Sequence, residues 1–146
     1  MAERNRHGLS RTIPSAVKRV VRQRCGFGCV ICGLSLYDYE HFDPDFKDAK
    51  EHNEKGITLL CMQCNQKRRR GVLSVETVAK ASGSPKSKQQ GFSNEAFDFG
   101  SEPIEIQFAG VFFKNCDHLI RVGTISILSL SNPEEEGSPY LISGRF

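Results

Sequence analysis

The hydrophobic pattern of the chain changes near residue 90. Before that point the clearest repeat is helical and covers residues 15–24, where apolar residues alternate with mostly basic ones at helical spacing. Pro14 stands where a helix can begin, and Gly26 lies just beyond the expected end. We therefore predict an amphipathic helix between them. Its apolar face is predicted to carry Ala16, Val20 and Val21, with Val17 at the margin.

Shorter patterns fill the rest of the first 90 residues. Residues 34–44 alternate roughly and carry three aromatics, which indicates a strand or a hairpin, and the apolar run 57–60 indicates a short strand. Helices are expected over about 62–71 and over 75–80, the second with Ser74 as its N-cap. The polar segments are predicted as a flexible basic arm (1–13), a loop or short helical turn (45–55) and a linker (81–90).

Beyond the predicted linker the chain has an all-β pattern. Short apolar or alternating runs are separated by Gly, Asn and Pro. The predicted strands are 104–108, 111–114, 119–122, 126–130 and 140–143. Because the 56 residues of 91–146 can bury little core, we expect this region to pack on the first one, to dimerise or to be incomplete. The strand-like pattern still running at 140–146 indicates truncation.

Charge divides at the same place. The net charge of +3 combines 17 Lys/Arg and 9 Asp/Glu in residues 1–90 with 3 and 8 in residues 91–146. A basic region of this size suits a polyanion, most simply nucleic acid, although charge alone also fits a solvated surface without a partner. The acidic β-region would repel DNA, so we expect it to face away from DNA or to serve another purpose.

Membrane and secretory classes are not indicated. The longest mostly apolar run, 125–130, is far shorter than the roughly 20 residues of a membrane span. The charged N-terminus is not followed by an apolar signal segment. We therefore expect a cytoplasmic protein with no membrane partner. In a reducing cytosol, paired cysteines are more often metal ligands than disulfides.

Four of the six cysteines form two C-x-x-C pairs separated by 28 residues: Cys29 and Cys32, then Cys61 and Cys64. Two such pairs are typical of a closed tetrahedral Zn²⁺ site, which is structural because no coordination position is left for substrate. Cys25 is a weaker candidate ligand, four residues before the first pair. Cys116 and His118 form a C-x-H without a partner pair, so we expect a core and a surface residue there.

A carboxylate, an imidazole and an amide accompany these pairs. Glu40 and His41 lie between them, Pro44 follows, and Asn65 comes directly after the last cysteine with Lys67 two residues further on. In this order and spacing, residues 25–73 resemble the zinc-bound branch of the HNH endonucleases, also called ββα-metal or His-Me finger nucleases, of which phage endonuclease VII is an example. The resemblance covers about a third of the chain.

The resemblance implies an α+β fold in which a zinc-stapled ββα-metal, treble-clef-like nuclease domain (14–80) precedes the small all-β region. It implies hydrolysis of phosphodiester bonds in duplex or branched DNA. His41 would be the general base that takes a proton from the attacking water. Glu40 and Asn65 would be the protein ligands of a catalytic Mg²⁺ or Mn²⁺ ion, because carboxylate and amide oxygens suit such hard cations.

Two positions depart from the family pattern. Glu40 stands where the family more often has aspartate, so the carboxylate reaches further by one methylene. The middle asparagine of the family falls at Gly56-Ile57, so the loop that it would fix is expected to be held through His52 or Asn53. Two other interpretations of His52 stay open, an additional metal or phosphate contact and a solvated loop residue.

The predicted helix that carries Asn65 ends in four consecutive cations: Lys67, Arg68, Arg69 and Arg70. The helix dipole explains part of this run, but four cations beside a phosphodiester site are better explained as phosphate contacts. Two alternatives to an enzyme remain. One is a non-catalytic zinc-containing module that binds nucleic acid. The other is a scaffold whose residues 91–146 bind a protein partner or a second copy of the chain.

Overall fold

The computed structural model describes residues 3–97, 104–132 and 140–145. It confirms a mixed α+β protein, which divides into two compact units, Met1–Gln90 and Gly91–Phe146. Within the described segments, every helix is too short or too polar to cross a bilayer. The first unit contains α1 (Ser15–Cys25), β1 (Asp38–His41), a 3-10 turn (Glu54–Gly56), β2 (Ile57–Leu60), α2 (Met62–Arg69), α3 (Val75–Gly83) and α4 (Lys86–Gln90).

Helix α1 begins and ends as its sequence predicts, but it buries a different face. Gly26 ends the helix in the left-handed conformation, with φ of 68°. The buried residues are Val21 and Cys25, with Val17 packed against the same core, whereas Val20 is 46% exposed. The apolar stripe therefore follows i, i+4 spacing to Cys25, a thiol that behaves here as a small apolar residue.

Strands β1 and β2 form an antiparallel pair, with Asp38 opposite Leu60 and His41 opposite Ile57. All four residues of β2 are buried, and its polar residue, Thr58, shares a hydrogen bond of 2.7 Å with the hydroxyl of Ser82. The core of the unit is made of apolar side chains and cysteines: Ile13, Val21, Cys25, Cys29, Val30, Ile57, Leu59, Leu60, Cys61 and Cys64. Three of the four paired cysteines are thus core residues.

The predicted linker over 81–90 is wrong, because residues 81–83 end α3 and residues 86–90 form α4. Ser87 is buried, and its hydroxyl donates to the carbonyl of Cys25 over 3.1 Å. A Cβ at Gly26 would lie 2.7 Å from the Ser87 hydroxyl oxygen. Small residues here allow α4 to approach the end of α1 closely. Small residues are also typical of flexible linkers, so the sequence alone did not distinguish a packed helix from a linker.

The second unit is built from antiparallel strands: β3 (Phe92–Phe97), β4 (Glu105–Phe108), β5 (Val111–Lys114), β6 (His118–Val122), β7 (Ile125–Ser131) and β8 (Tyr140–Arg145). One sheet has the order β3-β8-β7-β6, and β4 pairs with β5 in a separate hairpin. The five predicted strands are present. Strand β3 was not predicted, because its sequence is polar and its pairing with β8 decides its conformation.

The predicted strands at 126–130 and 140–143 correspond to β7 and β8, which are both interior strands of the sheet. Among the described residues, the outer strands of this sheet are β3 and β6. The hairpin β4–β5 exposes Phe108, Val111 and Phe112. Self-association or protein binding through residues 91–146 stays a prediction.

Candidate functional site

The four paired cysteines converge to one cluster in which all sulfur atoms lie within 4.8 Å of one another. The Cys32 Sγ atom is 3.6 Å from that of Cys61 and 3.9 Å from that of Cys64. Zn–S bonds of about 2.3 Å would place tetrahedral sulfurs about 3.8 Å apart. The cluster could therefore hold a metal ion, and its spacing suits zinc.

Local structure at each pair sets this geometry. The first pair lies in a tight turn, in which the Cys29 N–H donates to Leu34 and the Gly33 N–H donates to Cys29, over 2.8 and 2.7 Å. The second pair lies at the start of α2, where Cys61 is the N-cap and its sulfur accepts the Cys64 N–H over 3.4 Å. One turn and one helix N-terminus thus aim four thiols at one point.

The thiols differ in acidity. Burial raises the pKa of Cys32 to about 12 and also raises the pKa of Cys64 above its usual value. Burial also acts to raise the pKa of Cys61, but hydrogen bonds from the Cys64 backbone and the neighbouring thiols outweigh it, so this pKa lies below its usual value. A cation at the centre of the cluster would stabilise the thiolate form of all four.

Neither of the other two cysteines joins this cluster. Cys25 is buried under β2, with its sulfur 3.8 Å from the Thr58 hydroxyl oxygen. Cys116 lies in the second unit, where its thiol donates to the His118 carbonyl over 3.2 Å. The His118 ring is 2.9 Å from the Ser126 hydroxyl. Hydrogen bonds to neighbouring protein groups therefore explain the positions of Cys25, Cys116 and His118 without a metal ion.

Glu40 and Asn65 meet beside the cluster. Glu40 lies on β1 and Asn65 on the first turn of α2, and the Asn65 amide nitrogen donates to the Glu40 carboxylate over 2.5 Å. Asn65 is buried, and its other amide atom, Oδ1, has no hydrogen-bond partner among the described residues. A buried amide oxygen without a partner is costly. Amide and carboxylate oxygens are the kinds of ligand that hard cations prefer.

His41 is the last residue of β1 and is buried. Its ring packs on Phe46, with centroids 5.4 Å apart, and its Nε2 atom is 3.2 Å from the Nδ1 atom of His52. Burial, with the charges of His52 and Arg11, lowers the pKa of His41 to about 4. The imidazole is therefore neutral near pH 7 and has a nitrogen lone pair that can accept a proton.

The loop between β1 and the 3-10 turn is held by both of the residues that the sequence indicated. His52 contacts His41, and the Asn53 side chain caps the turn by accepting the Lys55 N–H over 3.0 Å. Gly56 has no room for a side chain, because a Cβ there would lie 2.3 Å from the Asp43 carbonyl oxygen. Its own carbonyl accepts the N–H of Phe42 over 2.9 Å, so backbone contacts close the loop.

The four cations of α2 do not share one environment. Lys67, Arg69 and Arg70 are exposed, whereas the Arg68 side chain is only 13% exposed. Arg68 donates to Asp45 over 2.7 Å and to the His41 carbonyl over 3.1 Å, and it lies 3.8 Å from the Glu40 carboxylate. It therefore ties α2 to β1 and to the following loop, whereas the sequence indicated a phosphate contact at this position.

We expect Arg68→Ala to lower the unfolding free energy by roughly 2–3 kcal/mol, the usual worth of hydrogen bonds to charged groups. The loss should appear as a lower melting temperature of the first unit, and low salt should not restore it. Arg70→Ala, an exposed position on the same helix, is the matched control and should melt like the wild type. Equal melting temperatures for the two variants would contradict this structural role for Arg68.

A cleft of about 450 Å³ is lined in part by Glu40 and His41, together with Asp45 and Phe46. Six cationic side chains also line it: Arg4, Arg6, Arg11, Lys47, Arg68 and Arg69. The cleft is thus a concave, positively charged surface with a carboxylate and a neutral imidazole among its lining residues.

The segment 1–13 was expected to be a flexible arm, but its described residues are folded. Asn5 donates to the Phe46 and Ala49 carbonyls over 2.5 and 2.6 Å, and Ile13 is a core residue. The guanidinium of Arg11 lies over the Phe46 ring, 5.0 Å from its centroid. The charges of this segment are visible in the sequence. Its packing against residues 46–49 is not, because it depends on the side-chain contacts of a single asparagine, Asn5.

Comparisons of the chain with known protein families, with curated proteins and with solved structures found no match.

Proposed function

We propose that the first unit is a metal-dependent DNA endonuclease of the HNH type, which hydrolyses phosphodiester bonds. One observation carries the proposal. Asn65, which directly follows the last residue of the four-cysteine cluster, donates to Glu40, and the cleft that Glu40 and His41 line carries six cations. A phosphodiester is an anion, so a cleft of this charge concentrates it where a general base and a cation site lie together.

The four cysteines would hold a structural zinc ion. Their sulfurs fit tetrahedral coordination, and four protein ligands leave no open position for water or substrate. Zinc would fix the turn at Cys29–Cys32 to the N-terminus of α2. That connection sets where Asn65, the next residue of α2, lies relative to Glu40 on β1.

Glu40 and Asn65 would hold the catalytic divalent ion. The fit rests on the buried Oδ1 atom of Asn65, which lacks a partner among the described residues, and on the carboxylate beside it. Oxygen ligands of these two kinds suit Mg²⁺ or Mn²⁺ and leave most of the coordination to water and phosphate oxygens. When bound, such an ion supplies electrophilic stabilisation of the charge on the phosphate and on the leaving oxygen.

His41 would act as the general base. His41 accepts a proton from water, the resulting hydroxide oxygen forms a bond to phosphorus, and the bond to the leaving oxygen breaks; that oxygen then takes a proton from solvent water. Only one tautomer allows this step. The Nε2 atom of His41 must carry the hydrogen and donate it to His52 Nδ1, so that Nδ1 of His41 keeps its lone pair. His52 is therefore proposed to position His41 and to fix its tautomer.

A non-catalytic nucleic-acid-binding module is the second candidate. The exposed cations Lys67, Arg69 and Arg70 favour it as much as they favour a nuclease. A binding module has no use for a buried His41 next to the hydrogen-bonded pair of Glu40 and Asn65, so cleavage separates the two functions.

The test is incubation of supercoiled plasmid with the full chain in Mg²⁺, Mn²⁺ or Ni²⁺. We expect nicking by the wild type. Asn65→Ala and Glu40→Ala should need at least about 10–100 times more divalent ion for half-maximal rate, since even outer-shell changes at metal sites cost that much. Gln66→Ala removes an exposed amide from the next position of α2 and serves as the control. A wild type that binds DNA but cuts it with none of these ions would favour the binding module.

A further inference from the structure

The N-terminal segment 3–13 is a folded part of the candidate site. Asn5 is its anchor, because all four of its side-chain hydrogen bonds are made. The amide nitrogen donates to Phe46 and Ala49, and the amide oxygen accepts the N–H groups of His7 and Leu9 over 3.0 and 2.9 Å. The segment closes on itself where the Arg11 N–H donates to the Glu3 carbonyl over 2.9 Å.

This folded segment brings three arginines to the cleft that contains Glu40 and His41: Arg4, Arg6 and Arg11. Arg11 lies on the Phe46 ring that also packs against His41, so a single aromatic ring separates the arginine from the proposed base. Arg6 and Arg11 are 66% and 50% exposed, which leaves their guanidinium groups accessible to a ligand.

The charge of the cleft lining exceeds what its own carboxylates neutralise. Six cations stand against three carboxylates, each of which pairs with arginine: Glu3 with Arg11, Asp45 with Arg68, and Glu40 with Arg68 and Arg69. Arg6 also pairs with Asp48, but an ion pair at an exposed position is weak and can give way to a phosphate. The described contact of the Arg4 guanidinium is with the Gly8 carbonyl, a neutral acceptor. Unbalanced guanidinium groups beside a hydrolytic site suit phosphate oxygens, which they can bind through two parallel hydrogen bonds.

A second depression of about 440 Å³ adjoins the cleft along the same segment. It shares Arg11 and Glu40 with the cleft and adds Lys18 and Asp38, so its own charges balance and it extends the shape of the cleft rather than its positive charge. A polymer with regularly spaced phosphates fits two adjoining depressions better than a small anion does.

We propose that residues 3–13 form a phosphate-binding arm, which holds the DNA backbone next to the scissile phosphate through Arg4, Arg6 and Arg11. This inference rests on the proposed nuclease function. Anchored by Asn5, the arm contacts phosphates without reading bases, and it sets how the strand enters the cleft over Glu40 and His41.

The first experiment measures DNA affinity against salt concentration, with Ca²⁺ in place of Mg²⁺ so that DNA is bound without being cut. The arm variant carries Arg4→Gln and Arg6→Gln. The control carries Arg19→Gln and Lys80→Gln, two exposed cations of α1 and α3 that do not line the cleft. The arm variant should lose about 2 from the slope of log affinity against log salt, at about 0.9 per phosphate contact. Equal slopes for the two double variants would overturn the arm.

A second variant separates the effect of where the arm arginines lie from the effect of their charge. Asn5→Ala leaves every arginine in place but removes the anchor, so DNA affinity should fall at least several-fold at unchanged net charge. Zinc content and melting temperature are measured on the same samples to show that the unit is folded. Wild-type affinity for Asn5→Ala would overturn the anchored arm. Absence of plasmid cleavage by the wild type, with arm-dependent binding intact, would instead contradict the nuclease.

Discussion

Replacing His41 with alanine is expected to lower the rate of plasmid cleavage by about 10²–10⁴-fold, the usual contribution of a general base. DNA affinity should stay at the wild-type value, because His41 is a buried neutral side chain rather than a phosphate contact. Excess Mg²⁺ or Mn²⁺ should not restore the rate, since the proposed ion ligands, Glu40 and Asn65, are intact. Single-turnover cleavage and equilibrium binding, measured on the same preparations, separate the two effects.

The matched control for this experiment is His118→Ala. His118 is exposed in the second unit, and its ring bonds to the Ser126 hydroxyl, so its loss should leave cleavage unchanged. A His41→Ala protein that nicks plasmid as fast as the wild type would remove the basis of the proposed enzyme. A variant that has lost DNA affinity together with cleavage would point to a folding defect, which the melting temperature of the first unit reveals.

Much of the candidate site could be predicted because its ligands are close in sequence to strong local signals. Cys29 and Cys61 open pairs whose spacing suits one metal ion, and the structure brings the four thiols together. Asn65 follows the second pair on the same helix turn, so the cysteines also fix its position. The contact of His41 with His52 was not predictable, because the two residues are eleven positions apart and the contact depends on the path of the loop between them.

Arg68 shows the corresponding limit for charged residues. Four consecutive cations look alike in sequence, but a helix turns by about 100° per residue, so neighbouring side chains face different directions. Arg68 faces β1 and Asp45, whereas Arg69 and Arg70 face solvent. The helix pattern predicted where α2 lies, and only the packing of α2 on β1 decided which cation is buried.

The fold was predicted best where a local pattern determines the element. Ser74 caps α3 by accepting the Thr77 N–H over 3.1 Å, and Gly26 ends α1, both as their residue types indicate. The predictions were wrong where contacts between residues distant in sequence determine the local structure. Ser87 packs on the end of α1 from 62 residues away, and β3 exists through its pairing with β8. Composition is no guide to such contacts.

Removal of zinc is expected to unfold the first unit. In zinc-finger peptides, metal binding is worth roughly 10–16 kcal/mol, which is comparable to the whole stability of a domain, about 5–15 kcal/mol. Three of the four proposed ligands are core residues, so the loss of the ion would also open the core. A chelator should therefore abolish the cooperative melting transition of this unit and release about one zinc ion per chain.

Cys61→Ser tests the metal bond separately from the helix cap. Cys61 is the N-cap of α2, and serine is a preferred N-cap residue, so the substitution keeps a side-chain acceptor for the Cys64 N–H. Any large loss of stability in this variant therefore comes from the loss of the thiolate ligand to the metal and not from the loss of the helix cap. We expect the variant to retain little zinc by elemental analysis and to lose the melting transition of the first unit, whereas Cys116→Ser, in the second unit, should retain both. A zinc-free wild type, or a Cys61→Ser protein that melts like it, would show that the cluster is not a structural metal centre.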